Sequence, residues 1–343
     1  MSKCLKLLHL ATGKANPNMW TDLFKRHLRE IGELTLREDT GAWDDREAAE
    51  VARDHDVILT HWGSRRLPEE LAEEPGRLRY ILNMSGTIRP FVPRKFVEKG
   101  MAVTNWGDLP ANQVAEGALT LLLASLKQLI PQRKEMEKGG WAPPDIGRTG
   151  SIRDLRIGIY GLGSIGRKFA QLVEPIQPRL YGFDPYLDPW PENVRRTASI
   201  AELFSRVEAV VITAGLNEET RHSVGAAHLA LLPDQAIVVN VARGAVLDQE
   251  ALFRELESGR LRAGLDVLDT NGRDFVDADH PCRHWPNLIL TAHKVSSSDW
   301  NRMLYEKDSL SRHQKLALEN LQRFASGQPL LNRFDLTRYD RST

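Results

Sequence analysis

Arg156-Ile-Gly-Ile-Tyr-Gly-Leu-Gly-Ser-Ile-Gly166 is the stretch that decides the fold of this 343-residue chain. Residues 156–160 read as a strand, and Gly161, Gly163 and Gly166 follow as G-x-G-x-x-G where a helix begins. In that pattern the first glycine permits a tight turn, and the second lets a pyrophosphate approach the backbone. The third allows close packing of helix on strand, while the helix N-terminus faces the phosphates. Alone, the three glycines are only a Gly-rich turn, but their context points further. The next strand ends in Asp184, at the distance where an acidic residue meets the adenosine ribose hydroxyls. Pro185 and Tyr186 follow, rather than an Arg that would hold a 2′-phosphate, so NAD is expected over NADP.

Working outward, strands are expected at 156–160, 180–183, 209–213, 236–240, 263–267 and 288–290, most of them separated by helical stretches. That rhythm predicts a doubly wound parallel sheet. Upstream, strands at 6–11, 57–60, 80–84 and 102–105 alternate with helical segments such as 20–31, which predicts a second α/β sheet. Residues 112–127 form a helix that is apolar nearly all round (Val114, Ala115, Leu119, Leu121, Leu122, Leu123, Leu126), as expected of one buried between domains or subunits. Residues 139–150, rich in Gly and Pro, read as a connecting loop. Residues 300–324 read as one long amphipathic helix, with a frayed end after it.

The composition is that of a globular protein, with 41% apolar and 27% charged residues. Lys plus Arg and Asp plus Glu balance at 46 each, so no bulk field points to nucleic acid or to an anionic membrane. The longest apolar run, near 118–126, is far too short for a bilayer span. Cys4 and Cys282 are far apart and lack metal-ligand spacing, so no metal is expected and a reducing compartment is. The start carries two lysines and runs straight into a strand, unlike a signal peptide. A cytoplasmic protein is the expectation.

Three more segments carry chemistry. Asn240-Val-Ala-Arg-Gly244 places Arg243 just past the carboxyl end of a strand, Gly264-Leu-Asp-Val267 closes another, and Leu290-Thr-Ala-His293 the last. Open α/β sheets bind ligands at that edge. Taken singly, Arg243 is a surface ion pair and His293 a satisfied loop histidine. Together with the glycine stretch, these segments resemble the D-isomer-specific 2-hydroxyacid dehydrogenase family along nearly the whole chain. Asn83-Met-Ser-Gly-Thr87 is similar to that family's substrate loop, and Val114-Ala-Glu116 to the opening of its interdomain helix.

The resemblance implies a Rossmann NAD-binding domain, 104–295, inserted into a discontinuous flavodoxin-like substrate domain, 1–103 and 296–335. It implies a cofactor set of Gly161, Gly163, Ser164, Ile165, Gly166, Asp184, Ala214, Val241, Ala242 and Asp266, the last near the nicotinamide end. Arg243 would hold the substrate carboxylate bidentately and polarise the 2-oxo group. Backbone amides at Ser85 and Gly86 would bind the other carboxylate edge, and His293 would exchange a proton with the carbonyl oxygen. Trp62 and Trp300 are candidate pocket walls, or ordinary packing. A homodimer is also implied.

The chain departs from the family where a glutamate should pair with the histidine. Ungapped counting from Asp266 gives Asn271, and no Glu occurs between Val267 and His293. If the extra residues of 269–274 precede Asp274, that carboxylate is the partner instead. Asp274 is the preferred assignment, and the choice matters, because a carboxylate favours imidazolium whereas an amide only orients the ring. Ala292 stands in place of the usual Pro, Lys294 sets a charge beside the histidine, and Gly215 replaces a Pro of the cofactor loop. The leading reading is an NAD-dependent oxidoreductase acting on a small 2-oxo or D-2-hydroxy acid. Alternatives are a non-catalytic NAD-sensing protein on the same fold and a formate-dehydrogenase-like enzyme.

Overall fold

The computed structural model describes residues 4–141, 149–270, 272–296 and 309–342. Asn271, Trp300 and most of the expected loop at 139–150 lie outside the described residues. The chain divides into two compact units, Met1–Leu109 with Asp299–Thr343, and Pro110–Ser298, so one unit is inserted into the other along the sequence.

In the discontinuous unit, five parallel strands among the described residues form one sheet. They are β1 (Leu5–Leu10), β2 (Gly32–Arg37), β3 (Val57–Thr60), β4 (Tyr80–Asn83) and β5 (Ala102–Thr104), in the order β2-β1-β3-β4-β5. This is the flavodoxin-like order. Strands β3 and β4 are buried at every position. They read as unbroken apolar runs because helices cover both faces. Ala48, Ala52, Phe96 and Val97 pack on one face with Leu8, Ile58 and Ile81, while Phe24, Leu28, Leu318 and Leu321 pack on the other with Leu7, Leu59 and Leu82.

Three expectations need correction here. The edge strand β2 was not foreseen, because it pairs only with β1 and most of its side chains stay partly exposed, so it lacks an apolar run. The tail is not one helix over 300–324: Ser309–Ser311 are not helical and a helix runs Arg312–Ala325, while 300–308 lie outside the described residues. Ser311 caps that helix by accepting from the Gln314 amide, and the Gln314 side chain accepts from the Ser311 amide in return. The end is not frayed. Leu336–Asp340 is helical, Tyr339 is buried, and its hydroxyl donates to the Val92 carbonyl at 2.6 Å.

The inserted unit holds a seven-stranded parallel sheet among the described residues, in the order β12-β11-β10-β9-β6-β7-β8. Its strands are β6 (Arg156–Tyr160), β7 (Arg179–Phe183), β8 (Arg195–Arg196), β9 (Ala209–Ile212), β10 (Ile237–Asn240), β11 (Arg262–Leu265) and β12 (Leu288–Leu290). The order reverses between β6 and β9, as in a doubly wound dinucleotide-binding sheet. Only the two-residue edge strand β8 had no counterpart in the expected set. The apolar helix Ala111–Leu126 packs into the core of this unit. Ala115, Ala118, Leu121 and Leu122 join a core with Ile157, Ile159, Val211 and Val239. Glycines allow the close approach, since a Cβ on Gly264 would lie 2.8 Å from Leu121 and one on Gly117 would lie 2.4 Å from Val295. No single helix among the described residues is long and apolar enough to cross a membrane.

Candidate active site

Six strands of the inserted unit end at the same sheet edge, and each supplies a residue marked out in the sequence. After β6, Gly161 adopts φ +89°, and a Cβ there would lie 2.5 Å from the Ala214 Cα, beyond β9. A Cβ on Gly166 would lie 2.2 Å from the Gly161 carbonyl oxygen, so helix Ser164–Val173 can pack onto the turn only with glycine there. Gly163, the N-cap of that helix, instead faces open space, with nothing within 4 Å of its would-be Cβ. That bare helix N-terminus is a cradle suited to pyrophosphate. Past β7, Asp184 is anchored through both oxygens, accepting from the Leu162 amide at 2.8 Å and the Tyr186 amide at 3.0 Å. Ser164, Ile165, Ala214, Val241 and Ala242 all lie on these strand-end segments.

The turn after β10 is built by Asn240. Its side chain donates to the Arg243 carbonyl at 3.0 Å and accepts from the Ala242 amide at 3.0 Å. Gly244 is obligatory for a steric reason: a Cβ there would lie 1.9 Å from the Leu268 carbonyl oxygen. Arg243 is partly buried and donates to the Ala242 carbonyl at 2.7 Å. Burial pulls its guanidinium below the ordinary value, and the charge of Asp274 opposes that shift.

His293 Nδ1 lies 2.6 Å from Asp274 Oδ2, while Asp274 Oδ1 accepts from the Leu268 amide at 2.6 Å. Just before Asp274, Thr270 and Arg273 exchange backbone hydrogen bonds, at 2.9 and 3.1 Å. Burial raises the Asp274 carboxyl, but hydrogen bonds from His293 and Leu268 and the nearby charges of His293 and Arg243 outweigh it and hold the group below the usual range. Lys294 is exposed.

Asp266 is only 5% exposed, and its Oδ1 accepts from the Thr291 hydroxyl at 2.7 Å and from the amides of Lys294 and Val295 at 2.9 Å each. Its carbonyl accepts from the His293 amide at 2.6 Å. The carboxylate therefore holds the turn that carries the histidine. Ala292 and His293 both adopt left-handed conformations, φ 49° and 56°. A proline, with φ locked near −65°, could not take the Ala292 conformation.

In the other unit, Asn83 shapes the loop after β4. Its amide donates to the carbonyls of Ser85 and Thr87, at 3.1 and 2.9 Å, and its Oδ1 accepts from the hydroxyls of Thr60 and Ser85, both at 3.1 Å. Trp62 follows β3 and is 49% exposed. Trp106, which sequence reasoning did not single out, covers Gly86, with its Nε1 2.6 Å from a would-be Cβ there. The only signal for it was its position one residue past the expected strand at 102–105. Among the described residues, no group of three or more His, Cys, Asp or Glu is arranged to hold a metal ion.

Residues 119–294 match a family model described as D-isomer specific 2-hydroxyacid dehydrogenase, NAD binding domain. The chain is 28% identical over 281 residues to D-3-phosphoglycerate dehydrogenase of Methanocaldococcus jannaschii, covering 79% of this chain but 51% of that relative, so it spans about half that relative's length. It is 30% identical over 264 residues to glyoxylate reductase of Thermococcus onnurineus, covering 72% of this chain and 79% of the relative. Its structure is similar to that of the NADPH-dependent glyoxylate/hydroxypyruvate reductase of Sinorhizobium meliloti solved with NADP and malonate, with a TM-score of 0.75, 24% identity and 98% coverage of each chain. At that identity the likeness speaks for the fold alone. The strand-end glycines, arginine and histidine fall within the residues that a family model matches over half the chain, and the chain belongs to the D-isomer specific 2-hydroxyacid dehydrogenases, oxidoreductases that act on CH–OH groups.

Proposed function

We propose that the chain is an NAD(H)-linked reductase of a small 2-oxo acid, equally able to oxidise the matching D-2-hydroxy acid. The observation that carries this reading is the 2.6 Å contact of His293 with Asp274, beside the Arg243 charge. Bound NADH supplies the hydride. Arg243 holds the substrate carboxylate and polarises the 2-oxo group, as its planar fork suits. The amides of Ser85 and Gly86 take the other carboxylate edge. With Nδ1 engaged by Asp274, His293 presents Nε2, and from it delivers a proton to the carbonyl oxygen as the C–H bond forms. In oxidation the same nitrogen takes the hydroxyl proton back.

The residues 110–298 hold the dinucleotide in this reading. Asp184 favours NAD: it accepts ribose hydroxyls and repels a 2′-phosphate. The Sinorhizobium structure contains NADP, so cofactor choice needs its own measurement. The exposed apolar side chains Leu129 and Met136 support a homodimer.

Initial rates of NADH and NADPH oxidation with a panel of 2-oxo acids test the proposal. Turnover with NADH, loss of about 2–5 kcal/mol of transition-state stabilisation in Arg243→Ala, and unchanged NADH binding in that variant are expected. No turnover with any 2-oxo acid defeats the reading, and tighter NADPH binding defeats the cofactor assignment.

A further inference from the structure

Trp62, Trp106 and His313 form a row beside the Ser85–Gly86 loop. The two indoles meet edge to face with centroids 5.0 Å apart, and the His313 ring lies 4.5 Å from Trp106 on the other side. Trp106 is firmly backed. The space behind it, lined by residues including Asn83, Met84 and Asn105, is about 10 Å³, too little for a comfortable water. Trp62 differs, with half of a large apolar surface left open at a sheet edge where loops carry recognition groups.

The charge around these indoles decides what can lie on them. Three arginines on the loops around these indoles are engaged within the protein. Arg65 donates to the Thr40 carbonyl at 2.9 Å and to Asp45 at 2.8 Å. Arg66 donates to the Arg89 carbonyl at 2.8 Å and approaches Glu69 at 3.4 Å. Arg89 donates to the Asp340 carbonyl and lies over the Tyr339 ring at 6.0 Å. These three cations are turned toward the protein's own carbonyls, carboxylates and rings, so what the Trp62 face offers a substituent is indole.

We propose that Trp62, backed by Trp106, selects 2-oxo acids with a flat apolar substituent of about the size of a phenyl ring. This rests on the reading above, in which the amides of Ser85 and Gly86 hold the substrate carboxylate. The substituent then lies against the open Trp62 indole, where offset or edge-on aromatic contact is favourable. Trp106 acts as a positioning residue: it holds Trp62 edge-on and closes the space over Gly86.

The test measures kcat/KM for NADH oxidation by the full chain with phenylpyruvate, glyoxylate and oxaloacetate, in the parent, Trp62→Ala and Trp62→Phe. Phenylpyruvate should lead the other two in the parent by at least about tenfold. Trp62→Ala should lower the phenylpyruvate-to-glyoxylate ratio by about tenfold, and Trp62→Phe should restore most of it. A parent that prefers glyoxylate or oxaloacetate overturns the inference and leaves the proposed function standing. So does a ratio indifferent to Trp62→Ala. Failure with all three acids overturns both.

Discussion

The buried carboxylate of Asp266 and the backbone of His293 are tied together: the Asp266 carbonyl accepts from the His293 amide at 2.6 Å, and Asp266 Oδ1 accepts three further hydrogen bonds from Thr291, Lys294 and Val295. A charged acceptor with several donors is a strong local clamp. Asp266→Ala leaves those donors unmatched and frees the turn, so kcat should fall about a hundredfold through misplacement of the imidazole. NADH binding should change little, and Asp266→Asn, which keeps an oxygen acceptor, should recover most of the rate. A variant that keeps kcat and loses NADH affinity would place the carboxylate on the cofactor instead.

The left-handed pair Ala292 and His293 sits inside that clamp. A non-glycine residue in this region is strained by roughly 1–2 kcal/mol. Ala292→Gly should therefore raise stability by about 1 kcal/mol in urea unfolding. Ala292→Pro, which matches the residue usual in the family, should instead reduce kcat sharply, because φ near −65° cannot be reconciled with 49°. An active proline variant would show that the turn has a second accessible conformation.

Asp274 fixes the His293 ring through the 2.6 Å contact of its Oδ2 with Nδ1. Asp274→Ala removes that anchor, so kcat for reduction should fall at least about tenfold while NADH binding changes little. An unchanged kcat in the face of that contact would mean that another group orients the ring or supplies the proton.

Two buried histidines set the acid stability of the discontinuous unit. His61 Nε2 accepts from Trp20 Nε1 at 2.7 Å, His9 Nδ1 donates to the Leu59 carbonyl at 2.9 Å, and the two rings stack at 4.8 Å. Burial pushes His9 down to about 3 and His61 down to about 4. The unfolded chain takes up protons near 6.5 while the folded one refuses them, so stability is complete above that pH and lost as pH falls from there toward 4. The loss by pH 5 is on the order of 4 kcal/mol for the pair. His9→Phe should reduce the slope of stability against pH by about one proton in that window. A slope identical to the parent's would show that His9 is already charged in the fold.

Much of the inserted unit was legible because its requirements are local. A strand followed by G-x-G-x-x-G, an acid at the next strand end, and an arginine and a histidine after later strands are each set by a few consecutive residues. The parallel sheet then brings every strand end to one edge. What the sequence left open were contacts between distant residues. Asp274 and Asn271 were both available to His293, and the 2.6 Å contact of Asp274 with the ring is what only the tertiary structure provides. The clamp by Asp266 depends on β11 lying beside β12, and the meeting of Trp106 with Gly86 on β5 lying beside β4. Edge strand β2 and the helix Leu336–Asp340 were invisible for the same reason: their stability comes from β1 and Val92, far away in the chain, and not from their own residue pattern.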